Sequence, residues 1–178
     1  GAGKTALTLT AIQAMLDDGH ATRVLVVAPL LVATSVWPQE AKLWAPRLTL
    51  AVATGADREA ALRSGAQVVV TNYDVIQKIS SLKGFDLVVF DELTRLKNPS
   101  GKRFAALSHL IEHINIRWGL TGSFTSNGLE DTYGQCKIVD QTLLGRSKGA
   151  FLQKYFVLIN PDYGDWAPRR GALEQVMQ

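Results

Sequence analysis

Apolar positions along this chain gather in short continuous runs rather than in strict alternation. Five such stretches are Arg23–Ala28, Leu48–Ala53, Gln67–Thr71, Asp86–Phe90 and Ile116–Leu120, most of them continuously apolar. A run of that length that is apolar throughout predicts a strand covered on both faces, the habit of parallel sheets. Helical stretches lie between them. One covers Thr5–Leu16 and closes at Asp18-Gly19, and one covers Val32–Trp44, which Pro38 either kinks or starts. Shorter ones are expected over Asp57–Arg63 and Tyr73–Ser80, and another over Leu129–Val139. A longer helix follows Asn98-Pro99-Ser100, with Ser100 as its cap and Phe104, Leu107, Leu110, Ile111 and Ile114 on one face. Strands alternating with helices predict an α/β fold, a mostly parallel sheet flanked by helices on both faces. After about Gly145 the rhythm breaks. Phe151–Phe156 reads as a short helix, Asn160–Trp166 as a loop, and Leu173–Gln178 as the start of a further helix. The expected organisation is one α/β unit over residues 1–145 and a C-terminal extension over 146–178.

Composition adds bounds rather than direction. Hydrophobic residues make up 47% of the 178 and charged residues 20%, enough apolar material for a sizeable core. The net charge of +3 permits a nucleic-acid partner without demanding one. A single cysteine, Cys136, forbids a disulfide within the chain, fits a reducing compartment and reads as a small apolar filler. No apolar run has the length of a membrane span, and no leader-like segment is visible. The chain opens at Gly1 without an initiator methionine, and chemistry precedes the first element, so truncation at the amino end is expected.

That chemistry is Gly3-Lys4-Thr5 at the start of a helix, the last three positions of the phosphate loop GxxxxGK[ST]. Glycines let backbone N–H groups curl around phosphate oxygens, and the helix N-terminus adds positive potential. Lys4 is placed to reach the β- and γ-phosphates and the Thr5 hydroxyl to bind Mg²⁺. Taken alone, the tripeptide also reads as a simple helix cap. A second site ends the strand Asp86–Phe90 with Asp91-Glu92. Ligands in open α/β sheets bind beyond the carboxyl ends of strands. Asp91 there suits Mg²⁺ and Glu92 an attacking water. Alone, the pair also reads as a helix cap; upstream Gly3-Lys4-Thr5 favours the catalytic reading. Leu120-Thr121-Gly122-Ser123, at the end of the last strand, offers hydroxyls to sense a γ-phosphate, or an ordinary turn.

In order, these segments resemble the first RecA-like lobe of superfamily-two helicases, in particular the Snf-type DNA translocases. Gly1–Thr5 is similar to the end of their motif I, and Val26–Leu30 with Val36–Glu40 to motif Ia. Val70–Asp74 resembles motif Ib, Asp91–Asn98 motif II, and Leu120–Leu129 motif III. The resemblance covers about Gly1–Gln141, and the stretches Asp91–Arg103 and from Gly149 onward look most like phage and prophage members. It implies a RecA-like P-loop fold, ATP and Mg²⁺ as cofactors, and duplex DNA gripped through its backbone. Gly1, Ala2, Gly3, Lys4 and Thr5 would bind the nucleotide, Thr5 and Asp91 the metal, and Lys4 and Glu92 would be catalytic. Thr121, Gly122 and Ser123 would couple hydrolysis to movement, while Pro29, Leu30, Thr71 and Asn72 would contact DNA. The family places ATP between two lobes and draws arginines from the second, which lies outside these residues. The chain alone is therefore expected to hydrolyse ATP poorly. The expected setting is the cytoplasm of a bacterium or a phage-infected cell. Two positions depart from the pattern: Thr94 where motif II has His, and Phe124 where motif III has Pro.

Other readings compete. A P-loop ATPase that moves no nucleic acid fits the same phosphate and metal residues. His109-x-x-Glu112-His113 matches a zinc metalloprotease signature, but the helix phase predicts a solvated face for these residues, and no structural zinc is expected. Trp37 and Trp44 share a helix face and, with Trp118, read as core. Arg146, Lys148, Lys154, Arg169 and Arg170 read as solvated surface, with a DNA path as the sharper alternative.

Overall fold

The computed structural model describes residues 3–125 and 128–178. Among them, five strands form one parallel sheet: β1 (Val24–Ala28), β2 (Leu50–Ala53), β3 (Val68–Asn72), β4 (Leu87–Asp91) and β5 (Ile116–Leu120), in the order β2-β3-β1-β4-β5. Each expected strand appears within two residues of its expected bounds. Helices α1 (Lys4–Asp17), α2 (Trp37–Trp44), α3 (Arg58–Arg63), α4 (Lys102–Leu110) and α5 (Asp131–Val139) connect or follow them.

The continuous apolar runs have the cause expected of them. Successive strand side chains point to opposite faces, and here both faces are covered. Leu25, Val27, Val69, Val88 and Phe90 pack with Leu62, Leu107 and Ile111 on one side. Val24, Val26, Val70 and Val89 pack with Leu9, Ile12, Trp37 and Ala41 on the other. Asp86 ties the entry of β4 to that of β1: its carboxylate accepts from the Thr22 hydroxyl at 2.6 Å and from the Thr22 and Arg23 amides at 2.8 and 3.0 Å.

Several local expectations change. Asp18-Gly19 does stop α1, with Asp18 as C-cap and Gly19 at φ 72°. Pro38 marks the start of α2 rather than a kink, and a π-helical turn over Val32–Val36 precedes it. The helix expected over Tyr73–Ser80 is reduced to one 3-10 turn, Ile76–Lys78. Ile79 already has extended backbone at φ -90° and ψ 128°, and this course buries Ile76, Ile79 and Leu82 together. Gly101, not Ser100, is the N-cap of α4; Asn98 makes the preceding turn by accepting from the Ser100 amide at 3.1 Å. Trp37 is fully buried, but Trp44 is 57% exposed and is not core.

The C-terminal stretch contains α6 (Lys148–Tyr155), the antiparallel hairpin β6 (Phe156–Asn160) and β7 (Asp165–Pro168), and α7 (Ala172–Val176). The loop expected over Asn160–Trp166 is only the hairpin turn, since Asp165 and Trp166 belong to β7. A third cluster joins this stretch to α5, with the Tyr133 and Phe151 rings 5.3 Å apart. No helix among the described residues is long and apolar enough to cross a membrane.

Candidate functional site

The amino end of α1 and the carboxyl end of β4 meet at one cleft of about 320 Å³. Gly3, Lys4, Thr5 and Ala6 line it from the cap and first turn of α1, Asp91 from the end of β4 with Glu92 just after it, and Val36 and Glu40 from the cap and first turn of α2. Gly3 caps α1 at φ 72°, a left-handed conformation that suits glycine. Lys4 and Thr5 therefore begin the helix where unpaired amides and the helix dipole attract anions. Gly1 and Ala2, also expected at the nucleotide, lie outside the described residues.

The acidic half is held tightly. Asp91 is 8% exposed; its Oδ2 accepts from the Trp37 indole at 2.9 Å, and its backbone carbonyl accepts from the Tyr73 hydroxyl at 2.8 Å. Burial, and then the Asp91 charge, push the Tyr73 phenol far above its usual range, so it stays a donor. Glu92 follows at φ 60°, ψ 62°, the one non-glycine in a left-handed conformation among the described residues. The Thr94 hydroxyl donates to Glu92 Oε1 at 2.9 Å. Thr94 therefore braces the neighbouring acid within its own segment. A Thr5 hydroxyl and an Asp91 carboxylate in one cleft form the hard-oxygen donor set that suits Mg²⁺.

The third segment joins the same place. A Cβ on Gly122 would lie 3.9 Å from Lys4 Nζ, so the turn after β5 runs beside the Lys4 ammonium. Within it, the Thr121 hydroxyl donates to Ser123 O at 2.9 Å and accepts from the Ser123 amide at 3.2 Å. Helix α5 braces both segments. Lys97 pairs with Asp131 at 3.2 Å, Gly134 lies against the Lys97 carbonyl, and Gln135 Nε2 donates to Phe124 O at 2.9 Å.

The residues expected at DNA lie at neighbouring strand ends, with Ala28 paired to Asn72. Leu30 is 54% exposed just beyond β1. Thr71 is different: it is fully buried, and its hydroxyl donates to Ala53 O at 2.7 Å. Strand alternation turns that side chain inward, so it offers no hydroxyl at the surface. Asn72 is 4% exposed, and its Oδ1 has no donor among the described residues.

The protease-like histidines are not set out as that signature requires. Helix α4 ends at Leu110, so His109 and His113 do not share a continuous helix, and the His113 ring lies 3.1 Å from Leu82 O. A larger hollow of about 490 Å³ lies beside them, between Ser80–Lys83 and the end of α4, but it brings no acid together with a phosphate-binding loop. Cys136 is buried, and burial pushes its thiol up to about 11, in keeping with an inert filler. Sequence reasoning missed Trp37, Glu40 and Tyr73 as parts of the site; the polar Glu40 beside Trp37-Pro38 was the available signal.

Comparison with known proteins identifies the family and the fold. The model of the SNF2-related domain matches residues 1–160. "Putative protein p41" of Acyrthosiphon pisum secondary endosymbiont phage 1 is 38% identical over 183 residues, which cover 94% of this chain and 40% of that protein. Among solved structures, the Sulfolobus solfataricus SWI2/SNF2 ATPase core in complex with dsDNA superposes with a TM-score of 0.81 at 28% identity, over 98% of this chain and 36% of that one. The UvsW helicase from bacteriophage T4 shares the fold, with a TM-score of 0.58 at 16% identity over 78% of this chain and 49% of that one. The chain thus spans well under half the length of the phage protein and of the archaeal core.

Proposed function

The chain belongs to the SNF2-related domain family, and from that premise we propose that it is the first, ATP-binding RecA-like lobe of a DNA-dependent ATPase that moves along duplex DNA. The observation that carries this reading is the meeting of Lys4 and Thr5 with Asp91 and Glu92 in one cleft. Lys4 and the α1 amides bind the β- and γ-phosphates, with Gly1, Ala2 and Gly3 completing the loop. Thr5 and Asp91 would hold Mg²⁺, which would supply positive charge against the phosphates. Glu92, kept in place by Thr94, orients a water on the γ-phosphorus and accepts its proton as the bond to ADP breaks. Thr121, Gly122 and Ser123, beside Lys4, sense the departing phosphate.

For DNA, the reading rests on the likeness to a core solved with dsDNA and on the strand-end position of Pro29, Leu30 and Asn72. Thr71, fully buried within β3, is left out of that contact. Such contacts suit a track read without sequence preference. A second RecA-like lobe supplies the arginines. The setting proposed for it is the cytoplasm of a bacterium or phage-infected cell, a reading supported by the likeness to a phage protein.

The test is ATP turnover by the full-length protein with and without duplex DNA. Stimulation by DNA is expected, and Lys4→Ala and Glu92→Gln should each abolish it. Equal rates with and without DNA would instead favour an ATPase that does not act on nucleic acid. Wild-type turnover in either variant would remove that residue's assigned role.

A further inference from the structure

Asp91 carries more protein contacts than a cation site requires. Trp37 is fully buried, and its indole N–H donates to Asp91 Oδ2 at 2.9 Å. An indole in a core needs an acceptor, whereas an aliphatic or phenyl side chain fills the same space without one. Here the acceptor is the carboxylate that lines the cleft. A charge-assisted N–H···O⁻ bond fixes the carboxylate's rotamer and occupies one of its oxygens. Oδ1 has no hydrogen-bond donor among the described residues and is left to the cleft. Tyr73 fixes the backbone of the same residue through Asp91 O at 2.8 Å. Trp37 also has an unusual approach. It follows the π-helical turn Val32–Val36, and such turns are frequent at functional sites.

We infer that Trp37 is a positioning residue for Asp91: by holding Oδ2 it presents Oδ1 to the divalent cation and sets how tightly the site takes it. The inference rests on the reading of Asp91 as the metal-binding acid. Groups that hold a metal ligand in place commonly change metal affinity by about 10- to 100-fold when lost.

The test uses the full-length protein and a fluorescent, non-hydrolysable ATP analogue whose binding is titrated with Mg²⁺. Trp37→Phe keeps an aromatic ring in the core and removes the N–H. The Mg²⁺ concentration at half-saturation should rise roughly tenfold, while analogue binding without metal stays as in wild type. Benzothienylalanine at position 37 replaces the N–H with sulfur at nearly constant shape. It should give the same shift, and it decides the matter if thermal melting shows that Trp37→Phe is unfolded. Asp91→Asn separates the two layers. If it leaves the Mg²⁺ dependence intact, the metal assignment fails and the inference falls with it. If it removes the dependence while both Trp37 replacements keep the wild-type midpoint, the metal assignment stands and the inference alone is overturned.

Discussion

At the scale of single residues, Thr94 stands where the resembled motif II has histidine, and the structure gives that residue a defined task. Its hydroxyl reaches Glu92 Oε1 at 2.9 Å, inside its own segment. Replacing it by an isosteric valine should lower kcat about tenfold, the effect of losing one hydrogen bond to a charged group, and leave the KM for ATP nearly unchanged. Thr94→Ser should recover most of the loss; steady-state kinetics on the full-length protein decides it. Equal kcat in wild type and Thr94→Val would show the bond to be idle. Lys4, Asp91 and Glu92 could be singled out because a phosphate-loop tripeptide and an acidic pair at a strand end support each other, although either alone reads as a helix cap. Thr94 was legible only as a mismatch. Trp37 and Tyr73 were not, because an aromatic in an apolar stretch reads as core. Their polar partner lies 54 and 18 residues away, a distance that periodicity does not span.

Elements were legible wherever burial alone decides them. Strands β1, β3 and β4 follow from apolar runs buried on both faces, whereas the edge strands β2 and β5 are only partly buried. The 3-10 turn at Ile76–Lys78 was not, since spacings of three and four residues overlap in a short segment. The hairpin of β6 and β7 was missed because its turn residues were read without the β-branched run before them. Helix α5 owes its place to close approach: a Cβ on Gly134 would fall 2.1 Å from the Lys97 carbonyl, a backbone atom that cannot step aside cheaply. Gly134→Ala should therefore cost about 1–3 kcal/mol of stability, the range for overpacking, as a lower urea midpoint with an unchanged slope. A wild-type midpoint would mean that α5 shifts freely. The β1–β4 entry makes a pH-dependent contribution. Burial opposes ionisation of Asp86, but hydrogen bonds from the Thr22 hydroxyl and from the Arg23 and Thr22 amides outweigh it and hold its carboxyl below the usual value. A lowered folded-state pKa stabilises above the unfolded value of about 3.9 and is lost as pH falls through the folded one. Asp86→Asn should thus be less stable than wild type near neutrality, and the gap should close below about pH 4. A gap that is constant with pH would assign the effect to packing instead.

At the scale of the whole molecule, the fold class followed from composition and rhythm, since a parallel sheet buried on both faces leaves few other solutions. The join between α5 and the C-terminal stretch, through Tyr133 and Phe151, was not readable, because each half looks like an ordinary helix until the two pack. The chain spans 36% of the archaeal core that it superposes on. Turnover by residues 1–178 alone should accordingly fall far below that of the full-length protein, by about a thousandfold or more if arginines from a second lobe complete the site. Comparable rates would show that these residues hold every catalytic group. The left-handed backbone of Glu92 sets activity against durability. A non-glycine residue in that conformation costs about 1–2 kcal/mol, and glycine relieves it. Glu92→Gly should melt no lower than wild type while losing hydrolysis, so a library screened for heat tolerance alone would enrich inactive variants, and engineering of this domain has to select on turnover at every round.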